Sequence, residues 1–204
     1  MKALILIDLQ NDFMPGGALA VPQADEVIPV IHQVMPHFEH VVATQDWHPP
    51  HHVSFASTHG KRVGERIQIE GQEQLLWPDH CIQNTLGADL VKGLNREKIE
   101  AIFHKGADPH IDSYSAFFDN ARQRQTGLAV YLQKQGVKVL FFAGVATEYC
   151  VLYSVLDALK FGFSVSVIWD ACRAIDPHRG DVALQQMQKR GASLIDSSAI
   201  ERSF

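Results

Sequence analysis

Cys150 lies where a short apolar run, ending at Gly144, gives way to a pattern typical of a helix. The thiol is therefore expected between a buried strand and the first turn of a helix. Backbone N–H groups and the positive end of the helix dipole stabilise a thiolate at such a junction. The position suits a nucleophilic cysteine, which needs a base and a neighbouring cation from other parts of the chain.

Asp8 and Lys105 are the candidates for that base and that cation. Asp8 follows the apolar run ALILI at Ala3–Ile7, and Lys105 follows the run AIFH at 101–104. Taken singly, Asp8 is typical of a turn, and Lys105 is typical of an exposed residue before a glycine. Together with Cys150, they form a set in which the lysine stabilises a thiolate and developing negative charge.

A second group of residues has the composition of a metal site. Asp46 and His48 are two residues apart, so in an extended segment both side chains point the same way. His80 adds a second imidazole, and three protein ligands leave open positions, as expected of a working rather than a structural metal. These ligands suit Zn²⁺, with Fe²⁺ and Mn²⁺ as alternatives. Further histidines of the same segment are interpreted as solvated or as lying outside the ligand set: His51, His52 and His59.

The other cysteines and the nearby aromatic residues have less specific interpretations. Cys81 and Cys172 are expected to be buried structural thiols, although the position of Cys81 beside His80 leaves a ligand role open. Three cysteines without a CxxC pair argue against a disulfide framework and favour a reducing cytoplasm. Three aromatic residues either pack in the core or line an apolar slot for a flat ligand: Phe13, Trp77 and Tyr114.

The elements that must position these residues alternate between strands and helices. Six strands are predicted, at Ala3–Ile7, 40–46, 101–104, 137–144, 163–171 and 192–197. Four helices are predicted, at Ala24–Phe38, at Leu128–Gln135, from Cys150 to about Phe161, and at Val182–Lys189. Near-continuous apolar strands of this kind predict an α/β fold in three layers, with a mostly parallel six-stranded sheet covered by helices on both faces. Ligands bind at the carboxyl ends of such strands, where the candidate residues fall.

Composition limits the class of protein. The chain has 204 residues, 46% hydrophobic and 20% charged, which is typical of one globular domain over 1–204. A net charge of −5 without clustered Lys and Arg argues against nucleic acid as a partner. No apolar stretch approaches the roughly 20 residues of a membrane span, and the N-terminal run is expected to be a strand rather than a signal peptide. The His-, Pro- and Gly-rich segment at about 47–82 is interpreted as a structureless loop over the site.

Five motifs together resemble the nicotinamidases, which belong to the isochorismatase-like cysteine hydrolases. They are DLQNDF at 8–13, QDWHP at 45–49, WPDHC at 77–81, KG at 105–106 and GVATEYC at 144–150. They follow the family's order over nearly the whole chain. The DWH and WPxHC motifs are more specific to nicotinamidases than the Asp–Lys–Cys set, which the wider superfamily shares.

The resemblance implies roles for the residues of these motifs. The catalytic triad would be Asp8, Lys105 and Cys150. One divalent metal ion would be bound by Asp46, His48 and His80, with waters or a further side chain completing the shell. Zn²⁺ and Fe²⁺ are preferred as this ion, and Mn²⁺ is the alternative.

The resemblance also implies a binding pocket around the nucleophile. Phe13 and Trp77 would flank a pyridine ring, and Tyr114 would belong to the pocket wall. The N–H groups of Ala146 and Cys150 would form an oxyanion hole, and the peptide bond before Ala146 would be cis.

The implied activity is hydrolysis of nicotinamide to nicotinate and ammonia through a Cys150 thioester, in nicotinamide salvage toward NAD, with pyrazinamide as a further substrate. Three alternatives stay open: another isochorismatase-like cysteine hydrolase, a metal hydrolase in which metal-bound hydroxide attacks and Cys150 is structural, and a non-catalytic binding module. The sequence leaves undetermined which metal binds, which other aromatic amides are accepted, and whether the chain forms a homo-oligomer.

Overall fold

A computed structural model describes residues 1–69 and 71–202. Its strands are β1 (Lys2–Ile7), β2 (His40–Asp46), β3 (Arg66–Ile69), β4 (Gln72–Leu75), β5 (Ala101–Lys105), β6 (Val139–Val145), β7 (Ser164–Arg173) and β8 (Ser193–Ile195). Six of them form one sheet in the order β5-β2-β1-β6-β7-β8, and every neighbouring pair is parallel. The predicted six-stranded parallel sheet is confirmed.

The helices are α1 (Val27–Val34), α2 (Leu128–Lys134), α3 (Leu152–Lys160), α4 (Pro177–Lys189) and α5 (Ser197–Glu201). The chain leaves β1 toward β2 on one side and later enters β6 on the other side. Right-handed crossovers therefore place α1 and α3 on opposite faces of the sheet. Helix α1 contacts α5, and α3 contacts α4, which completes the three layers of the predicted α/β fold.

The hydrophobic pattern explains these elements. Ala3–Ile7 is fully buried along its whole length, because β1 is central and covered on both faces. In α1 the buried residues are Val27, Ile31 and Val34, whose spacing of four and three residues forms one apolar stripe. Among the described residues, no helix is both long and apolar enough to cross a membrane.

The observed elements differ from the predicted ones at several ends. The helix predicted over Ala24–Phe38 is α1 flanked by single 3₁₀ turns, and the second turn contains Pro36, which lacks an N–H group to continue an α-helix. Helix α4 begins five residues before its predicted start, where Asp176 accepts a hydrogen bond from the Arg179 N–H and Pro177 takes the first helical position.

The segment at about 47–82 is not wholly structureless, contrary to the expectation from its composition. It contains the two-stranded antiparallel hairpin β3–β4, which lies outside the main sheet. The hairpin leads directly into the WPDHC motif, so regular structure positions the second half of this segment.

Candidate active site

The candidate catalytic residues converge at the carboxyl ends of the four strands at one side of the sheet. Asp8 directly follows β1, and the turn Thr147–Val151, which contains Cys150, follows β6. Asp46 and Lys105 are the last residues of β2 and β5 and are paired with each other across the two strands. The structure therefore brings together the four residues that the sequence placed at this edge.

Lys105 is the centre of this arrangement. Its buried ammonium lies 2.8 Å from Asp8 Oδ2 and donates hydrogen bonds to Asp46 Oδ1, to Cys150 Sγ at 3.3 Å and to the Ser113 carbonyl at 3.3 Å. A single cation therefore contacts the thiol and both carboxylates. The sequence predicted its contact with Asp8 and Cys150, but not the one with Asp46.

Thr44 fixes the orientation of Asp8. Its hydroxyl donates to Asp8 Oδ1 at 2.6 Å and accepts from the Asp8 N–H at 3.2 Å. Asp8 has a left-handed backbone with φ of 50°, a conformation that aspartate tolerates better than most residues. Sequence reasoning missed Thr44, whose only signal was a polar residue inside the apolar strand β2.

The two carboxylates that share Lys105 have pKa values shifted in opposite directions. Burial, reinforced by the charge of Asp46, raises the pKa of Asp8 and outweighs the effect of Lys105. Burial acts the same way on Asp46, but Lys105 and His48 overcome it and hold the pKa of Asp46 well below its usual range. Opposite shifts of this kind separate a proton carrier from a permanent anion. Asp8 suits the first role and Asp46 the second.

The thiol is less acidic than its position in the sequence suggested. Burial raises the pKa of Cys150 well above its usual range, although Lys105 opposes this shift. Burial lowers the pKa of Lys105, but Asp46 and Asp8 outweigh it and raise that pKa well above its usual range. The resting site therefore holds a neutral thiol beside a permanent ammonium, and thiolate formation requires proton transfer to a base in contact with the site.

Asp46, His48 and His80 lie together, with ligand atoms all within 4.8 Å of one another. The Nε2 atoms of His48 and His80 are 3.6 and 3.7 Å from Asp46 Oδ2. Each histidine Nδ1 donates to a backbone carbonyl, Gly106 at 2.9 Å and Pro78 at 2.8 Å. These bonds place the Nε2 lone pairs toward the carboxylate, which is the usual orientation of metal-ligating histidines. The donor set fits a divalent metal such as Zn²⁺.

His52 is buried beside this set rather than solvated. Its ring centre lies 4.2 Å from that of His48, and its nitrogens contact Ser54 Oγ at 2.8 Å and the Ile111 carbonyl at 3.3 Å. Burial lowers the pKa of His52 to about 4, so the ring is neutral. Both nitrogens thus have partners outside the Asp46 cluster, which supports leaving His52 out of the ligand set.

Two further residues, for which the sequence predicted no role of their own, shape the candidate metal cluster. Gly106 has φ of 64°, and a Cβ atom on it would lie 2.4 Å from the His48 ring. The Gln10 side chain donates to the Asp46 carbonyl at 2.7 Å and accepts from the Asp46 N–H at 2.8 Å. Both belong to motifs quoted above, DLQNDF and KG, but only the contacts of the folded chain show what they do.

A narrow cleft opens onto Cys150 and contains the predicted pocket residues Phe13, Trp77, Tyr114 and Ala146. The Trp77 indole N–H donates to the Tyr114 hydroxyl at 3.1 Å. The Phe13 ring centre lies 5.6 Å from that of His80, so one aromatic wall adjoins the metal cluster. The cleft therefore suits a flat, mostly apolar ligand.

The cleft also contains Tyr149, whose ring lies 4.9 Å from that of Trp77 in an edge-to-face arrangement. The peptide bond between Val145 and Ala146 is cis, as the family resemblance implied. This bond leads into the turn that holds the nucleophile.

The remaining cysteines lie in the core. Cys81 is fully buried, and burial raises its pKa well above the usual range. Burial likewise raises the pKa of Cys172 to about 12. Their predicted burial is confirmed, and neither belongs to the Asp46 cluster.

Residues 2–199 match the isochorismatase domain family. The chain is similar to the nicotinamidase of Escherichia coli (strain K12), with 46% identity over 199 residues that cover 95% of this chain and 93% of that protein. Its structure is similar to that of an Acinetobacter baumanii nicotinamidase and pyrazinamidase, with a TM-score of 0.94, 45% identity and coverage of 98% and 97%. It is also similar to Pyrococcus horikoshii pyrazinamidase in complex with zinc, with a TM-score of 0.80, 40% identity and coverage of 96% and 98%. The chain therefore belongs to the isochorismatase domain family and, within it, to the nicotinamidases, which are amidohydrolases.

Proposed function

We propose that this amidohydrolase converts nicotinamide to nicotinate and ammonia through a thioester on Cys150, with a divalent metal ion held by Asp46, His48 and His80. One observation carries the proposal: the Lys105 ammonium contacts Asp8, Asp46 and Cys150 together. This arrangement links a nucleophile, a base and a metal-site carboxylate in one buried group. The names of the similar proteins support the substrate, and the zinc in one of them supports the metal.

In the first half-reaction, Asp8 takes the Cys150 proton and the sulfur forms a bond to the amide carbon. The carbonyl electron pair moves to oxygen, where the N–H groups of Ala146 and Cys150 stabilise it, each such donor being worth about 2.7–4 kcal/mol. When the pair returns, the C–N bond breaks, the nitrogen takes the proton from Asp8, and ammonia leaves.

In the second half-reaction, Asp8 takes a proton from a water molecule while the oxygen of that water bonds to the thioester carbon. The C–S bond then breaks, Asp8 returns its proton to the sulfur, and nicotinic acid leaves. In solution this acid gives its proton to the ammonia released in the first half-reaction, so the products are nicotinate and ammonium and the site is back in its starting protonation state.

The cleft supplies binding and orientation. Asp46, His48 and His80 would hold a divalent ion, which would supply a Lewis acid for the ring nitrogen of the substrate. Phe13 and Trp77 supply apolar surfaces for the faces of the ring. Pyrazinamide has the same carboxamide on a ring that contains nitrogen, so we propose it as a second substrate. The physiological role proposed is nicotinamide salvage toward NAD in the cytoplasm.

Ammonia release from nicotinamide by the purified, zinc-loaded protein tests the reaction. Cys150→Ala should abolish turnover while zinc content stays unchanged, and the matched variant Cys172→Ala should retain both. Mass spectrometry of acid-quenched wild-type enzyme should find a nicotinoyl group on Cys150. Turnover in folded, zinc-loaded Cys150→Ala would instead support attack by metal-bound hydroxide.

Benzamide separates this proposal from another cysteine hydrolase of the superfamily. It has the size and carboxamide of nicotinamide but lacks the ring nitrogen. We expect kcat/KM for nicotinamide to exceed that for benzamide by at least about 100-fold, because benzamide offers no ring nitrogen to the metal cluster. Equal rates would show that the metal cluster does not select the substrate.

A further inference from the structure

Glu148 is a buried carboxylate that lies two residues before the nucleophile and has no part in the proposed reaction. Its Oε2 accepts a hydrogen bond from the Ile175 N–H at 3.2 Å, and its Oε1 accepts one from the Asp176 N–H at 2.9 Å. The residue is only 6% exposed. Both oxygens are therefore used by two successive main-chain donors of one distant segment.

That segment joins β7 to α4 and packs closely on the nucleophile turn. Asp176 caps α4 by accepting from the Arg179 N–H. Gly180, in the first turns of α4, leaves no room for a side chain, because a Cβ atom there would lie 2.6 Å from Ala174 Cβ. The same Cβ atom would lie 4.0 Å from Thr147 Cβ, and α4 contacts the turn Thr147–Val151.

The same segment forms one side of the candidate cleft. Ile175 lines it together with Tyr149 and Trp77. The Arg179 guanidinium carbon lies 5.1 Å from the centre of the Tyr149 ring, on a side chain that α4 supplies. The two hydrogen bonds accepted by Glu148 join this segment to the nucleophile turn. They therefore help to set the position of this wall relative to Cys150.

We infer that Glu148 is a positioning residue that holds Ile175 against the aromatic ring of the substrate and thereby sets the affinity for the amide. The chemistry of the residue supports this role. An ionised carboxylate has two acceptor oxygens and no donor, so it can satisfy both N–H groups, and bonds to a charged acceptor are the stronger kind. Glutamine has nearly the same shape, but its NH₂ group would face one of these two N–H groups and could not accept from it. The identity of the ring rests on the proposed function.

Glu148→Gln tests the inference through two separate measurements. The KM for nicotinamide should rise about tenfold while kcat changes less than about twofold, because the loss falls on ring binding and not on the reacting atoms. Hydrogen exchange at the Ile175 and Asp176 amides should be about tenfold faster than in the wild type. Asp157→Asn removes another buried carboxylate charge, on α3 outside the cleft, and should leave KM and both amides unchanged.

A double-mutant cycle with Ile175→Ala separates positioning from general destabilisation. If Glu148 acts through Ile175, the effect of Glu148→Gln on KM should largely disappear in the Ile175→Ala background. Glu148→Asp keeps the carboxylate on a shorter side chain. Its KM should lie between those of the wild type and Glu148→Gln, and this variant carries the test if Glu148→Gln does not fold.

The results that overturn the inference differ from those that overturn the proposed function. An active wild type whose Glu148→Gln variant keeps the wild-type KM, or whose two amides exchange at the wild-type rate, would overturn the inference. Additive effects of Glu148→Gln and Ile175→Ala on KM would do the same. A wild-type protein that releases no ammonia from nicotinamide would overturn the proposed function and nicotinamide as the ligand. The exchange experiment would still report on the hydrogen bonds from Ile175 and Asp176 to Glu148.

Discussion

At the scale of single residues, the buried charges around Lys105 explain why we propose Asp8 rather than Asp46 as the acceptor of the Cys150 proton. Transfer from Cys150 to Asp8 moves a charge within the buried group without changing its total, so no further ion has to be desolvated. Lys105 contacts the donor and the acceptor of this transfer and stabilises the charge on either one. Asp46 also contacts Lys105, but its second oxygen faces the two histidines.

Thr44→Val tests whether the orientation of Asp8 limits the reaction. Valine keeps the shape of threonine but cannot donate to Asp8 Oδ1. The Asp8 carboxylate therefore loses one hydrogen bond and its fixed orientation. We expect kcat to fall about 10- to 100-fold, which corresponds to the 1.5–3 kcal/mol typical of a hydrogen bond to a charged group. Steady-state ammonia release measures the change.

Thr126→Val is the matched control for this substitution. Thr126 also uses its hydroxyl for one donated and one accepted bond, to the Ala116 carbonyl and from the Leu128 N–H, but it does not line the cleft over Cys150. Its kcat should equal that of the wild type. A kcat for Thr44→Val no lower than that of the control would show that Thr44 only stabilises the fold.

At the scale of elements, the turn after β5 contributes to the proposed triad and to the proposed metal cluster at once. Lys105 ends the strand, and the next residue, Gly106, accepts the His48 Nδ1 hydrogen bond through its carbonyl. The left-handed backbone of Gly106 allows the His48 ring to lie where a side chain would otherwise project. One dipeptide therefore supplies the cation of the proposed triad and the support of a proposed metal ligand.

Gly106→Ala should weaken metal binding because the added methyl group displaces the His48 ring. We expect a loss of zinc affinity of about 10- to 100-fold, the range typical when the support of a ligand is removed. Isothermal titration of the metal-free protein with zinc measures it.

Gly60→Ala is the control for the backbone strain of this substitution. Gly60 has nearly the same φ, 61°, but its Cβ position faces open space. It should lose stability through the left-handed backbone alone and keep the wild-type zinc affinity. Equal zinc affinities in the two variants would contradict the proposed support of His48 by Gly106.

At the scale of the whole molecule, the sequence predicted the features that local patterns determine. Apolar runs indicated six parallel strands, and the rule for their carboxyl ends then placed Asp8, Asp46, Lys105 and Cys150 at one edge. Thr44 was not predictable, since a strand buried on both faces does not reveal which side chain faces a given neighbour.

Other features of the site depend on tertiary contacts that no local pattern contains. The partners of Glu148 lie 27 and 28 residues further along the chain. The raised pKa of Cys150 results from burial of its turn in the folded protein, whereas the sequence showed only the favourable helix end. The hairpin β3–β4 was missed because its strands have four residues each, too few for a clear period.

The long segment between β2 and β5 leads to the last prediction, which concerns the stability of the whole protein. His48 lies at the start of this segment and His80 near its middle, so a bound metal would join distant parts of the chain in the folded state only. Zinc at 100 times its Kd should add about 2.7 kcal/mol to the free energy of unfolding, which raises Tm by roughly 5–10 °C for a chain of this size. Differential scanning fluorimetry before and after chelation measures this shift.

His80→Gln should abolish the shift, because the amide cannot replace the imidazole as a ligand. His51→Asn should keep it, since His51 is exposed and asparagine tolerates its left-handed backbone. Equal zinc-induced shifts in the two variants would exclude His80 as a ligand, and the Asp46–His48 pair would then need a different third partner.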